Sequence, residues 1–241
     1  GNAFGATAAA MAVNGGTLDL GSYSQTLAAV SIGTVGGSIT GSTGVLTGSS
    51  FTFNNTTGNA ATVSAILAGT GTLTQAGTGT TTLSGANTYT GATTINAGIL
   101  KLGAAGGATN TPLGTTGAGT TVASGAALDL NGYTLGTAEA LTLNGTGVSS
   151  GGALMNSGSA ATYAGLITLG SASSIVGGTG SIAITNAGTI TGSGFALTLG
   201  GAQGGSLTSI VGTVAGTLTK ADAGTWTLSG ASTYTGLTTI S

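Results

Sequence analysis

The chain has 241 residues, of which 50 are Gly, 2% are charged, and none is His or Cys. Two lysines, no arginine and a net charge of −2 offer nothing to neutralise a row of phosphates, which excludes a nucleic-acid partner. Without His or Cys, no Ser-His-Asp or Cys-His nucleophile can be assembled and no zinc site of the usual kind can form.

Taken from its start, the chain shows no basic-then-apolar leader and no run of about 18 apolar residues able to cross a membrane as a helix. The Ala-rich run Ala6 to Val13 could form a helical turn or two, but good helix formers are almost absent afterwards. What recurs instead is apolar alternation: Leu18 and Leu20 flank Asp19, Leu100 and Leu102 flank Lys101, and Leu128 and Leu130 flank Asp129. Leu141 and Leu143, Ile182 and Ile184, and Leu197 and Leu199 keep the same period of two, which puts one strand face in a core and the other toward water. Asp19, Lys101 and Asp129 all fall on the outward phase, as solvated surface residues. Gly pairs such as Gly36-Gly37 and Gly106-Gly107 punctuate these short strands. An apolar fraction of 40% argues against disorder.

Short punctuated strands fit a sandwich, a barrel or a solenoid. An internal repeat decides for the solenoid. Gly71 to Asn96, GTLTQAGTGTTTLSGANTYTGATTIN, returns at Gly216 to Ser241 as GTLTKADAGTWTLSGASTYTGLTTIS, 145 positions on and identical at 19 of 26 residues. Aromatic residues make up only 4%, too few for a sandwich core but enough for a narrow parallel β-helix of stacked small aliphatics. At about 20 residues per turn the chain makes roughly 12 coils. The stretch from Leu18 to Gly71 is 53 residues and that from Leu128 to Gly216 is 88. The difference, 35, predicts the insertion of two whole short turns, which leaves neighbouring turns undisturbed.

The repeated unit resembles the passenger-associated transport repeat, the autotransporter-associated β-strand repeat of bacterial surface proteins. Ala97 to Gly103, A-G-I-L-K-L-G, resembles its usual continuation; Ala127 to Leu135 and Gly16 to Leu27 resemble the coils that follow it. The resemblance covers about half the chain. It implies a right-handed parallel β-helix at the cell surface or outside the cell. A full autotransporter also carries a signal peptide and a translocator barrel, and the second copy stops before its A-G-x-L-K-L-G. The chain is therefore expected to be an internal slice of a longer protein.

The β-helix is shared with sugar-cleaving enzymes, whose chemistry needs close carboxylates, a basic residue or an acidic Ca²⁺ cluster. Here the acids stand at Asp19, Asp129, Glu139 and Asp222; Asp129 and Glu139 could meet across a turn, but the outward phase of Asp129 favours a surface position. Gly-rich pieces such as Gly69-Thr70-Gly71 lack the Lys and the helix of a phosphate loop. The T-x-T triplets Thr72/Thr74, Thr80/Thr82 and Thr88/Thr90 resemble an ice-binding array, yet their spacing of 8 puts them on different faces. Tyr89 and its equivalent Tyr234 are read as covering a coil edge, and Trp226 stands where copy 1 has Thr81.

The expectation is an all-β, right-handed parallel β-helix, one solenoid segment over residues 1–241, with no catalytic, cofactor-binding or metal-binding residues. Its expected role is structural or adhesive, a stiff stalk or fibre component of an exported bacterial surface protein. Self-association, including a homopolymeric fibre, or contacts with host or neighbouring surfaces would be its interactions. The alternatives are a carbohydrate-active enzyme whose site lies elsewhere in a longer chain, and a Thr-rich ice-binding solenoid.

Overall fold

The computed structural model describes residue 4 and residues 9–241. Among these, all regular structure is β apart from one 3₁₀ turn at Val148–Ser150. Among the described residues no helix is long and apolar enough to cross a membrane. Of the Ala-rich opening run, Ala6 to Ala8 lie outside the described residues, and Met11–Val13 forms a strand instead of a helical turn. The chain divides into two units, Gly1–Thr120 and Thr121–Ser241. Each is a parallel β-solenoid, and together they hold about 11 turns.

In the first unit the turns lay down strands on two faces throughout and, in the first three turns, on a third. The first face stacks Met11–Val13, Ala29–Ile32, Ser50–Phe53, Thr72–Gln75 and Thr93–Ile95, each parallel to the next. The second stacks Thr17–Asp19, Gly37–Thr40, Ala61–Val63, Thr80–Leu83 and Ile99–Leu102. The third holds Gln25–Thr26, Val45–Thr47 and Ile66–Ala68. The register threads inward side chains into files. Val30, Phe51, Leu73 and Thr93 form one file, Ile32, Phe53, Gln75 and Ile95 another, and Ile39, Val63, Leu83 and Leu102 a third, all of them buried. Strands of three or four residues are not stable alone. Each becomes so by hydrogen bonding to the turns on either side and by burying its inward aliphatics, at about 1.5–3 kcal/mol for a full Leu, Ile or Phe.

Beyond Leu102 the path leaves the coil in an antiparallel hairpin, Asn110–Thr111 against Gly114–Thr115. Its Leu113 is buried, and the Pro112 carbonyl accepts a 2.6 Å hydrogen bond from Asn87 Nδ2.

The second unit stacks Ala127–Asp129, Leu154–Asn156, the end of Ile167–Gly177, Leu197–Gly200, Leu218–Lys220 and Thr238–Ile240 in one column. A second column holds Thr134–Leu135, Ala161–Tyr163, Ile182–Ile184, Gly205–Leu207 and Trp226–Leu228. Ile167–Gly177 is the longest strand. Its start pairs with Leu141–Gly145 and its end with the column of Leu154, and the register shifts between Leu143 and Gly145 where it passes from one to the other.

This arrangement overturns the expected insertion of whole turns. In the first unit the column that holds Leu18 of T-L-D-L receives the second strand of its repeat, Thr80–Leu83. In the second unit the column that holds Leu128 of A-L-D-L receives the first strand of its repeat, Leu218–Lys220. Copy 2 therefore enters its coil out of step by one face, and the additional 35 residues are not an integral number of turns. The physical reason is that each copy closes on itself. Thr72–Gln75 pairs with Thr93–Ile95 in the same register as Leu218–Lys220 with Thr238–Ile240, so the turn is complete whichever face it starts on.

Candidate functional site

The outward side chains present the first candidate surface. On the first face of unit 1, Ser31, Thr52, Thr74 and Thr94 stand in one file, with Ser50 and Thr72 in a parallel file beside them. On the second face Thr17, Ser38, Thr62 and Thr82 form a further file, and Ser38 Oγ lies 2.7 Å from Thr62 Oγ1. Neighbouring hydroxyls in such a file are about 4.8 Å apart at the backbone, close enough to bond to one another or to backbone carbonyls. The T-x-T triplets fall on different faces, as their spacing implied: Thr72/Thr74 on the first and Thr80/Thr82 on the second. Thr88 and Thr90 follow at the corner, where their amides donate to the Leu67 and Gly69 carbonyls.

The ionisable residues build turns. Asp19 Oδ1 accepts the Gly21 amide at 3.0 Å and the Thr40 hydroxyl at 3.0 Å. These bonds, the backbone one foremost, hold its carboxyl below the usual aspartate range, and it is fully exposed. Asp129 repeats the device: Oδ1 accepts the amides of Asn131 and Ser157, each at 2.9 Å, and Oδ2 the Ser157 hydroxyl at 2.5 Å. Its outward phase is as expected, but the expected surface position is wrong: Asp129 is only 2% exposed. The corner backbone of the neighbouring turn closes over the carboxylate, which no strand periodicity could reveal. Gly21 and Asn131, the residues two places after these aspartates, both adopt positive φ, 54° and 49°, so the side chain stabilises a left-handed corner.

Glu139 is fully buried, and its backbone carbonyl accepts the Tyr163 hydroxyl at 2.6 Å. Burial raises the Tyr163 pKa well above its ordinary value, and the Glu139 charge adds to the rise. Asp129 and Glu139 share none of these partners. Among the described residues no group of three or more Asp and Glu side chains could hold a metal ion.

Inside copy 1 lies a polar cluster that sequence reading missed. Gln75, Thr81 and Asn55 are all fully buried. Gln75 Nε2 donates to the Gly77 carbonyl at 2.8 Å, and Thr81 Oγ1 lies 2.6 Å from Gln75 Oε1 and 2.9 Å from Asn55 Oδ1. Asn55 Nδ2 donates to the carbonyls of Asn59 and Thr80, each at 2.9 Å. Copy 2 solves the same corner differently. Lys220 replaces Gln75 in the inward phase, between Leu199 and Ile240, and its Nζ donates to the carbonyls of Ala221 and Asp222. Trp226 replaces Thr81, lies over Gly205 and donates from Nε1 to the Gly200 carbonyl at 3.0 Å. A Cβ on Gly205 would lie 2.1 Å from the Ile182 carbonyl oxygen as well as 3.0 Å from the indole ring, so backbone below and ring above hold this position to Gly. The signal was present in the sequence as paired differences between the copies at 75/220 and 81/226.

Other positions of the repeat keep their roles. Asn87 Oδ1 accepts the Leu67 amide at 2.8 Å, and Ser232 Oγ accepts the Val211 amide at 3.2 Å. Tyr89 Oη lies 2.7 Å from Thr93 Oγ1, and Tyr234 Oη 2.7 Å from Thr238 Oγ1. Tyr89 is fully buried, its ring centroid 6.0 Å from that of Phe51; it fills the coil and does not cover an edge, because the hairpin at Leu113 closes above it. A Cβ on Gly91 would lie 2.4 Å from the Gly71 carbonyl oxygen, and one on Gly236 2.3 Å from that of Gly216. Here the glycine is fixed by backbone resting on backbone.

A family model described as the passenger-associated-transport-repeat matches residues 73–102 and 218–241. The first match takes in Ile99–Leu102, the strand that covers Thr80–Leu83. No curated protein and no solved structure matches the chain.

Proposed function

We propose, from the premise that the chain carries two passenger-associated transport repeats, that it is a structural or adhesive segment of an exported bacterial surface protein. The observation that carries this reading is that both matched stretches form complete solenoid turns in the same register, Leu73 beside Thr93 and Leu218 beside Thr238. The residues common to both copies serve the stacking of turns: glycines where backbone meets backbone, inward Leu, and outward Thr. The chemistry of the acids supports a non-catalytic role, since Asp19 and Asp129 are engaged by corner amides. Neutral hydroxyl files repel one another little, which favours lateral contact with other surfaces or with further copies in a fibre.

Electron microscopy of cells displaying the protein tests this reading. Long thin fibres or stalks at the outer surface are expected; compact soluble particles would refute it. A panel of polysaccharides incubated with the chain should remain uncleaved, and cleavage would transfer the reading to the carbohydrate-active enzymes. The paired files Ser50/Thr52 and Thr72/Thr74 favour a second reading, ice binding, and a thermal-hysteresis measurement decides it: a freezing gap would replace the structural role.

A further inference from the structure

Two of the three Asn-Gly pairs in the chain, Asn131-Gly132 and Asn144-Gly145, stand at corners of the second unit, and the corners dictate both residues of each pair. Gly132 and Gly145 lie at φ 80° and 74°. A Cβ on Gly132 would meet the Ser159 amide nitrogen at 2.7 Å, and one on Gly145 the Ser124 Cα at 3.0 Å, so neither glycine can be exchanged freely. The asparagines are held as well. The Asn131 amide donates to Asp129 Oδ1 at 2.9 Å, and Asn144 Nδ2 donates to the Val122 carbonyl at 2.9 Å. Each Gly amide is then captured by a side chain of the following turn. The Gly132 amide donates to Asn156 Oδ1 at 2.7 Å, and the Gly145 amide to Ser171 Oγ at 3.0 Å. Asn156 is fully buried and anchored by its own bonds to the Ser159 and Ser181 carbonyls.

We infer that Asn131 and Asn144 are latent hydrolytic modification sites, kept silent in the stacked coil by side chains of the next turn and released when that turn lifts. With no Cβ on the residue that follows, an Asn-Gly pair offers the least steric resistance to attack by the main chain on the Asn carboxamide. The Gly nitrogen gives up its proton to solvent base and bonds to the Asn Cγ; the Cγ–Nδ2 bond breaks, and Nδ2 leaves as ammonia. Water then opens the cyclic imide to aspartate or, at the other carbonyl, to isoaspartate. The attacking nitrogen is the one that Asn156 or Ser171 holds, so that hydrogen bond must break before the ring can close. The product is charged and does not revert. Each conversion adds one negative charge to a chain of net charge −2, so the two together double it. At Asn131 the new carboxylate stands two residues from Asp129, whose Oδ1 already accepts the Asn131 and Ser157 amides, and the like charges oppose restacking. A corner that has stayed open is thereby marked.

The test incubates the full chain in mildly alkaline buffer, native and in guanidinium chloride, and reads conversion at each asparagine by peptide mapping with mass spectrometry. In denaturant both sites should convert at the rate of short peptides of the same sequence. In the native chain each should be slower, on the order of thirtyfold, because opening gives up two hydrogen bonds at each corner. Ser171→Ala, checked for an unchanged circular-dichroism spectrum, should speed Asn144 about fivefold and leave Asn131 unchanged, since one bond at one corner is removed. Native conversion as fast as in denaturant at either site would overturn the inference. So would an unchanged Asn144 rate in Ser171→Ala, or an equal acceleration at both asparagines, which would belong to general unfolding instead of the corner.

Discussion

Val214 offers a test of the equivalence between the two copies that needs no ligand. It lies at φ 55°, a region β-branched residues avoid, and is 57% exposed. The residue 145 positions earlier is Gly69, at φ 106°. Both serve the same corner: the Thr90 amide donates to the Gly69 carbonyl, and the Thr235 amide to the Val214 carbonyl. A left-handed conformation costs an L-residue roughly 1–2 kcal/mol, more for a branched one. Replacing Val214 with Gly releases that strain but adds chain entropy to the unfolded state, about 0.5–1 kcal/mol in the opposite direction. Little burial is lost at so exposed a site. Val214→Gly should therefore stabilise the chain by about 0.5–1 kcal/mol, a rise of a few degrees at most in the melting midpoint. Urea titration followed by Trp226 emission reads the change. The reverse exchange, Gly69→Val, should destabilise by more, because its Cβ would also meet the Gly48 carbonyl oxygen at 2.7 Å. A lower midpoint for Val214→Gly, or a neutral Gly69→Val, would refute the argument.

Three further outcomes follow from the polar groups. Gln75→Ala removes the bonds to Gly77 and Thr81 and leaves a buried gap, and denaturant titration should show a loss of about 2–4 kcal/mol. The Asp19 carboxyl is held below its ordinary value, so its contribution is present above the unfolded pKa and lost as pH falls through the folded one. Acid titration of Asp19→Asn should therefore show a shallower stability loss below about pH 4, together with a small, pH-independent loss of stability near neutrality, where the contribution is fully present. Tyr163 is held protonated, chiefly by burial, so its contribution is complete below about pH 10 and declines as pH rises beyond that. Tyr163→Phe should flatten this alkaline decline and cost about 1 kcal/mol at neutral pH through the lost bond to the Glu139 carbonyl.

The coil itself was legible because its causes are local and repeated. Alternation at Leu18/Leu20 and Leu128/Leu130 marks inward files, and the second copy of a 26-residue segment marks a module. The interior of the candidate site was less legible because alternation gives phase but not cover. Asp129 is outward and still buried, since Ser157 comes from another turn to close over it. Tyr89 looked like an edge residue because its cover, Leu113, belongs to a hairpin that no period of two announces. Gln75 and Thr81 looked like ordinary Thr-rich strand residues, and only their shared partner Asn55, 20 residues earlier in the chain than Gln75, makes them a cluster. The phase of copy 2 was hidden for a different reason. Residue counts between landmarks measure path length, and turns of unequal length convert the same count into different angles.

That phase freedom has a genetic corollary. A segment that closes its own loop of hydrogen bonds can be copied into a gene without a matching deletion, because the solenoid takes it in starting on either of two faces, as a bolt accepts a washer. What changes with the bearing is the direction in which its Thr rows point. Insertion at points that start on different faces would thus present one kind of surface in different directions, producing new exteriors from an unchanged interior.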